Sequence, residues 1–167
     1  HNLCCERGFR TLFRQLEFSI SRGELVRIAG GNGTGKSTLL KVLAGLSSDF
    51  SGEIRWQGQL VSDVRDQYQA GLCYLGHAKA VKQRLTVNEN LAWFRALYPC
   101  QLSLSEQDQV LKRLQLYHFR DQLCGQLSAG QQQRVALARL MISAAKLWIL
   151  DEPFTAIDKD GVLDFEH

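Results

Sequence analysis

The sequence predicts an α/β domain with a mixed or parallel sheet at its core, and three observations carry that prediction. A short apolar strand, Glu24-Leu25-Val26-Arg27-Ile28-Ala29, runs into a glycine-rich loop and then into a helix that continues through Leu39-Leu40-Lys41-Val42-Leu43-Ala44. A second apolar run, Leu147-Trp148-Ile149-Leu150, ends in Asp151-Glu152-Pro153. A strand this apolar belongs inside a parallel sheet, which puts both acids at its carboxyl end, the edge where open α/β folds bind ligands. Between the two, from Thr86 on, the apolar spacing changes from about two to about three and a half residues, the mark of helices.

Residues 3–20 alternate weakly, with Leu16, Phe18 and Ile20 on one face, and are expected to form two antiparallel strands flanking the core. Ser21-Arg22-Gly23 supplies the turn into the strand at 24–29. The loop Gly30-Gly31-Asn32-Gly33-Thr34-Gly35-Lys36-Ser37-Thr38 fits the phosphate-loop spacing of Gly, four residues, Gly, Lys and Ser or Thr. Its glycines let successive N–H groups turn inward on one concave anion site. The helix start adds partial positive charge, Lys36 can reach a nucleotide's outer phosphates, and the Ser37 hydroxyl can ligate Mg²⁺. A glycine-rich turn with no ligand is the plain alternative; the strand before it and the helix after it speak for the phosphate site.

Ala44-Gly45-Leu46 closes that helix, residues 51–58 read as a strand between two glycine turns, and Leu72-Cys73-Tyr74-Leu75 as a short strand ending at Gly76-His77. Thr86 with Glu89 forms a capping box for a helix carrying Val87, Leu91, Phe94 and Leu97, which Pro99 stops. Ser105 with Asp108 suggests a further start, with Val110, Leu111, Leu114 and Leu116 as its stripe. Trp93, Phe94 and Tyr98 fit either the core or a partner surface, and helical spacing favours core. In Leu127-Ser128-Ala129-Gly130-Gln131, Ser128 and Gln131 have capping-box spacing ahead of a strong helix, so its start is a second potential anion site. The chain is therefore expected to comprise a core with β flank at 1–84 and 125–167 and an inserted helical subdomain at 85–124.

Length and composition narrow the function classes. A chain of 167 residues is one domain, or two small subdomains sharing a nucleotide, and no stretch approaches the 18 apolar residues of a membrane span. A net charge of +3 is mild and the basic residues are scattered, so nucleic acid is not an expected partner. The five cysteines lack paired metal-type spacing and are expected to be reduced thiols. Neither a Cys-x-x-Cys-His motif nor another haem ligand is evident, and no charged-then-apolar leader opens the chain, so export is not expected. His1 in place of Met, and an end inside a plausible helix, suggest a chain incomplete at both ends.

Two adjacent carboxylates after an apolar strand suit different tasks. Asp151 can hold Mg²⁺, usually through water, and Glu152 can orient the water that attacks the γ-phosphorus. An acid pair that merely caps a helix is the alternative. The phosphate loop, residues 127–131 and residues 147–152 resemble, in order and spacing, the nucleotide-binding domain of ATP-binding cassette (ABC) proteins, and Phe154-Thr155-Ala156-Ile157-Asp158 resembles its D-loop. The resemblance implies a P-loop NTPase fold with a RecA-like core, ATP and Mg²⁺ as cofactors, and a homodimer that sandwiches two ATP molecules. In that dimer Ser128, Gly130 and Gln131 would meet the nucleotide held by the other copy.

Three positions depart from the family pattern. His77 stands where most members carry the Q-loop glutamine; its imidazole can bond near Mg²⁺ and water, or simply end a strand. Arg7 stands near where an adenine-stacking aromatic is expected, and Phe9 or the Arg7 guanidinium can substitute. The family's switch histidine falls about thirty residues past the catalytic glutamate, whereas His167 is fifteen past Glu152, so this chain is expected to hydrolyse ATP poorly. Within the family, Tyr74-Leu75-Gly76-His77 and residues 127–134 and 147–159 are most similar to the ATP-binding subunits of bacterial cytochrome c maturation. That similarity implies a peripheral protein on the cytoplasmic face of the inner membrane, with CcmB-like and CcmC-like integral membrane subunits, driving release of a haem-loaded chaperone. A soluble ABC ATPase of translation or DNA repair is the other reading, though the two cassettes or long coiled coils of such proteins are absent; a binding-competent but hydrolysis-deficient fragment is the third.

Overall fold

The computed structural model describes residues 1–8, 10–76, 80–98, 100 and 102–153, in two compact units that divide between Gln69 and Ala70. In the first unit, β1 (Leu3–Arg7) pairs antiparallel with β2 (Arg10–Leu16), from Leu3 opposite Leu16 to Arg7 opposite Arg10. Leu3 and Cys5 point into the core, as a half-buried strand with period two requires. The expected flank is thus present. It is shorter than expected, because Phe18 and Ile20 lie beyond the ladder.

Helix α1 (Lys36–Leu43) buries Leu39 and Val42. Its end is a Schellman motif: Gly45, at φ +69°, donates to the Val42 carbonyl and Leu46 to the Lys41 carbonyl. The strand expected at 51–58 reduces to β3 (Arg55–Trp56), hairpinned onto β4 (Gln59–Leu60). Gln57 and Gly58 both take positive φ, as a two-residue type I′ turn demands. Helix α2 (Arg65–Ala70) had no counterpart in the sequence reading. It buries Tyr68, whose ring meets Trp56 edge-on and whose hydroxyl donates to the Leu43 carbonyl at the end of α1. Burial pushes the Tyr68 phenol up to about 12, so it remains a donor at any physiological pH.

The segment at 24–29 departs from expectation. It joins no strand ladder, and Leu25 is 92% exposed. Apolar character alone does not make a strand; the hydrogen bonds of a neighbour do, and no strand of its own unit pairs with it.

In the second unit, β5 (Leu72–Leu75) pairs in parallel with β6 (Leu147–Leu150), Leu72 opposite Leu147 and Leu75 opposite Leu150. This is the parallel pair the apolar runs predict. Helix α3 (Val87–Leu97) begins with the Thr86–Glu89 box, both bonds formed, and buries Val87, Leu91 and Phe94, while Leu97 is exposed. Trp93 and Tyr98, which spacing favoured as core, are each 40% exposed; Phe94 alone of the three is core. Pro99, expected to stop this helix, lies outside the described residues.

Helix α4 (Leu104–Arg113) starts two residues earlier than expected, capped by Ser103 with Glu106 rather than by Ser105 with Asp108. A glutamate at the third helical position is long enough to reach back to the capping residue's amide, and the Ser103 amide reaches its carboxylate at 2.7 Å. Hydrogen bonds from Ser103 hold the Glu106 carboxyl below its ordinary range. Helix α5 (Ala129–Ile142) packs Val135, Ala136, Leu137 and Leu140 against α3, α4 and β5 in one continuous core.

One buried polar side chain ties α3 to the loop before it and to Cys124. The Asn90 oxygen accepts from the Lys82 amide at 2.8 Å, and its NH₂ lies within bonding distance of the Lys82 and Thr86 carbonyls and of the Cys124 sulfur. Asn90→Ala would strand a buried amide and several carbonyls. A loss of about 3 kcal/mol is expected in chemical denaturation, and a change below about 0.5 kcal/mol would show that water replaces these bonds.

Candidate functional site

The phosphate loop lies in the first unit and is built by its own backbone. Gly33 and Gly35 take φ of +74° and +94°, and a Cβ at Gly35 would come within 3.0 Å of the Leu12 side chain. Both the dihedral and the close approach of β2 therefore require glycine there. Thr34 Oγ1 donates to the Gly31 carbonyl at 2.9 Å and closes the turn. Lys36 Nζ folds back to donate to the carbonyls of Gly30 and Gly31 at 2.8 and 2.7 Å. Those partners are neutral, and no carboxylate of the described residues forms an ion pair with it, so a full positive charge stands at the loop's mouth. Helix α1 is capped by Gly35 with no side-chain bond and has no acid in its first turn. A helix start with no side-chain cap and no acid in its first turn is the kind that accommodates phosphate. Ser37 and Thr38 open the helix, and Asn32 sits exposed in the loop. Arg7 is exposed near the end of β1.

The second unit carries the other two motifs. Ser128 Oγ accepts from the Gln131 amide at 3.2 Å, and Gln131 Oε1 accepts from the Ser128 amide at 2.8 Å. This refines the expectation of an open anion site, since the capping box already uses two of the amides. Those two bonds use the acceptor oxygens of both side chains and leave the donor hydrogens of the Ser128 hydroxyl and the Gln131 NH₂ outside the box. Gln132 donates to the Cys124 and Leu127 carbonyls, fixing the turn that precedes the tip.

The acids follow β6 as expected. Asp151 is 6% exposed, and its amide donates to the Leu75 carbonyl at 2.8 Å, extending the parallel ladder by one bond. Glu152 is exposed, at φ +55°. Burial, and after it the Asp151 carboxylate, push the Tyr74 phenol up, which places Tyr74 in the field of Asp151. Sequence reasoning missed both Tyr74 and Gln133, whose side chain donates to the Pro153 carbonyl at 2.6 Å. A signal was present: of the three consecutive glutamines, Gln133 alone shares a helical face with Leu137 and Leu140. A polar side chain on a buried face needs a partner.

His77, the D-loop at 154–158, Phe9 and His167 lie outside the described residues. Among those described, no cluster of His, Cys, Asp and Glu is arranged to hold a metal ion, all five cysteines are free, and no helix is long and apolar enough to cross a membrane. The Ser37 hydroxyl and the Asp151 carboxylate are each the kind of hard oxygen donor that Mg²⁺ takes.

The first unit thus carries a glycine-rich loop whose lysine is held on the loop's own carbonyls, and the second a capped serine tip and an acid pair after a buried strand. The family model for ABC transporters matches residues 13–155. The chain belongs to the ABC transporter family. It has the family's P-loop NTPase fold and is an ATPase domain. The chain is 47% identical over 161 residues to the cytochrome c biogenesis ATP-binding export protein CcmA of Haemophilus influenzae, covering 96% of this chain and 76% of that protein. It is 48% identical to the protein of that name from Photobacterium profundum, over 96% of this chain and 79% of that one. Among solved ABC structures, an ATP-binding protein of Pyrococcus furiosus matches with a TM-score of 0.82 at 25% identity, over 97% of this chain and 80% of that one. A dimeric ATP-binding cassette in a post-hydrolysis state, bound to ADP and Pi, matches with a TM-score of 0.80 at 26% identity, over 98% of this chain and 77% of that one.

Proposed function

We propose that the chain is the ATP-driven subunit of a bacterial cytochrome c maturation complex, peripheral on the cytoplasmic face of the inner membrane. The observation that carries this reading is the extent of the likeness to the CcmA proteins, which spans the phosphate loop, the serine tip and the acid pair together. In this reading Lys36, the loop amides and Thr38 hold ATP, and Ser37 and Asp151 supply oxygens for Mg²⁺. Glu152 orients the attacking water. Ser128, Gly130 and Gln131 complete the site of a second copy, and His77 takes the Q-loop position. Positioning and charge neutralisation do most of the catalysis, because phosphoryl transfer asks little covalent chemistry of the protein.

Residues 85–124 act as a helical subdomain on a core formed by 1–84 and 125–167. The exposed Trp93 and Tyr98, with Leu97 at 55%, provide an apolar surface suited to CcmB-like and CcmC-like membrane subunits. Lys82 lies 4.2 Å from the Trp93 ring centre and keeps the charged rim of that surface in place. Affinity purification of full-length protein from detergent-solubilised membranes, followed by mass spectrometry, should recover those membrane subunits. Recovery of ribosomes or DNA in their place would refute the assignment in favour of a translation or repair ATPase.

A further inference from the structure

Glu152 sits in a conformation that a glutamate does not choose for itself. Its φ of +55° lies in the left-handed region, where the Cβ crowds the following carbonyl, and the proline after it narrows the choices further. Such a residue persists only when its surroundings over-determine it. Here the peptides on either side are both tied down. Before it, the Asp151 amide donates to the Leu75 carbonyl of β5 at 2.8 Å. After it, the Pro153 carbonyl accepts from Gln133 Nε2 at 2.6 Å. Gln133 is itself 6% exposed and anchored on α5, the helix whose first residues form the serine tip.

We propose that Gln133 is a positioning residue for Glu152: its amide holds the Pro153 carbonyl and so keeps the glutamate backbone in the left-handed turn that presents its carboxylate. This rests on the reading of Glu152 as the group that orients the attacking water. It also links two sites through one rigid element, the chain's own at Glu152 and the second copy's at Ser128, since any shift of α5 that moves Ser128 also pulls on Pro153. Ser128 is five residues from Gln133, little more than one helical turn.

The test uses full-length protein with its membrane subunits and compares Gln133→Leu, Gln133→Glu and Glu152→Gln. Gln133→Leu removes the donor and should lower kcat about tenfold with KM for MgATP within about twofold, because the phosphate loop is untouched. In the nucleotide-free protein, amide exchange at Asp151 and Glu152 should rise while that of α1 stays unchanged. Gln133→Glu discriminates further: an ionised carboxylate cannot donate to a carbonyl, but a protonated one can. Burial at this position, 6% exposed, pushes a carboxyl up toward that range, so activity relative to wild type should recover as pH falls from 8 to 6, a trend that loss of packing would not produce. On a Glu152→Gln background, Gln133→Leu should cost less than about twofold more. Wild-type kcat in both Gln133 variants, a flat pH ratio, or a fully multiplicative loss in the double variant overturns the proposal. Unchanged turnover in Glu152→Gln alone overturns the catalytic reading beneath it. Should Gln133→Leu fail to fold, the pH ratio of Gln133→Glu and the exchange measurement decide the matter.

Discussion

Lys36→Ala is expected to reduce MgATP binding at least a hundredfold, below detection in a calorimetric titration at ordinary protein concentrations. Two losses combine. The ammonium is a charge carried by the loop itself, and a charge-assisted bond to phosphate is roughly twice as strong as a neutral one. The same ammonium also clips the carbonyls of Gly30 and Gly31 together, at 2.8 and 2.7 Å. Without it, those carbonyls would turn a negative dipole edge toward an incoming triphosphate. A loss of about 3 kcal/mol or more follows from removing such a partner, which is more than a hundredfold in affinity. Lys36→Arg should not restore binding, since a planar guanidinium cannot occupy the compact position between two neighbouring carbonyls. Near-native affinity in Lys36→Ala would mean that the loop does not hold phosphate.

Glu152→Gln is expected to separate binding from turnover. The amide keeps the shape of the carboxylate and its place at the end of β6, but it cannot accept a proton from water, so hydrolysis should fall by about 10²- to 10⁴-fold. Nucleotide affinity should remain, because the phosphate loop and the Mg²⁺ oxygens are intact. With ATP bound and not consumed, two copies should stay closed around it. Light scattering of full-length protein with MgATP should then report a stable dimer for the variant and a largely monomeric wild type after turnover. A variant that remains monomeric, or one that turns ATP over at the native rate, would remove Glu152 from the role assigned to it.

The legible parts of this chain were those written in short-range chemistry. Glycines at loop positions with positive φ, a hydroxyl residue three before a glutamate or glutamine, and an apolar run closed by acids each identify their structure without help from distant residues. That is why α1, α3 and α5, with the box at Ser128 and the Schellman end at Gly45, stand where spacing put them. The one capping error, Ser105 for Ser103, came from accepting aspartate where the longer glutamate is needed to close the box. Helix α2 was missed because six residues carry too little periodicity to stand out from a loop.

Long-range pairing was not legible in the same way. The segment at 24–29 has the composition of a buried strand and yet remains exposed in its own unit, whereas residues 72–75 and 147–150, far apart in sequence, find each other in register. Trp93 and Tyr98 could not be told from Phe94 by spacing, because three neighbouring aromatics on a helix differ only in what packs against them.

Motif and cap therefore settled locally which chemistry this chain carries: a phosphate loop, a serine tip and an acid pair, each complete within a few residues. Packing alone decided which side chains hold that chemistry still. The donor to Pro153 comes from a glutamine twenty residues earlier, and the backbone of Glu152 depends on it and on the carbonyl of Leu75. Bonds of that kind join residues that only the folded chain brings within reach, so the sequence can flag a glutamine on a buried face but not the carbonyl it holds.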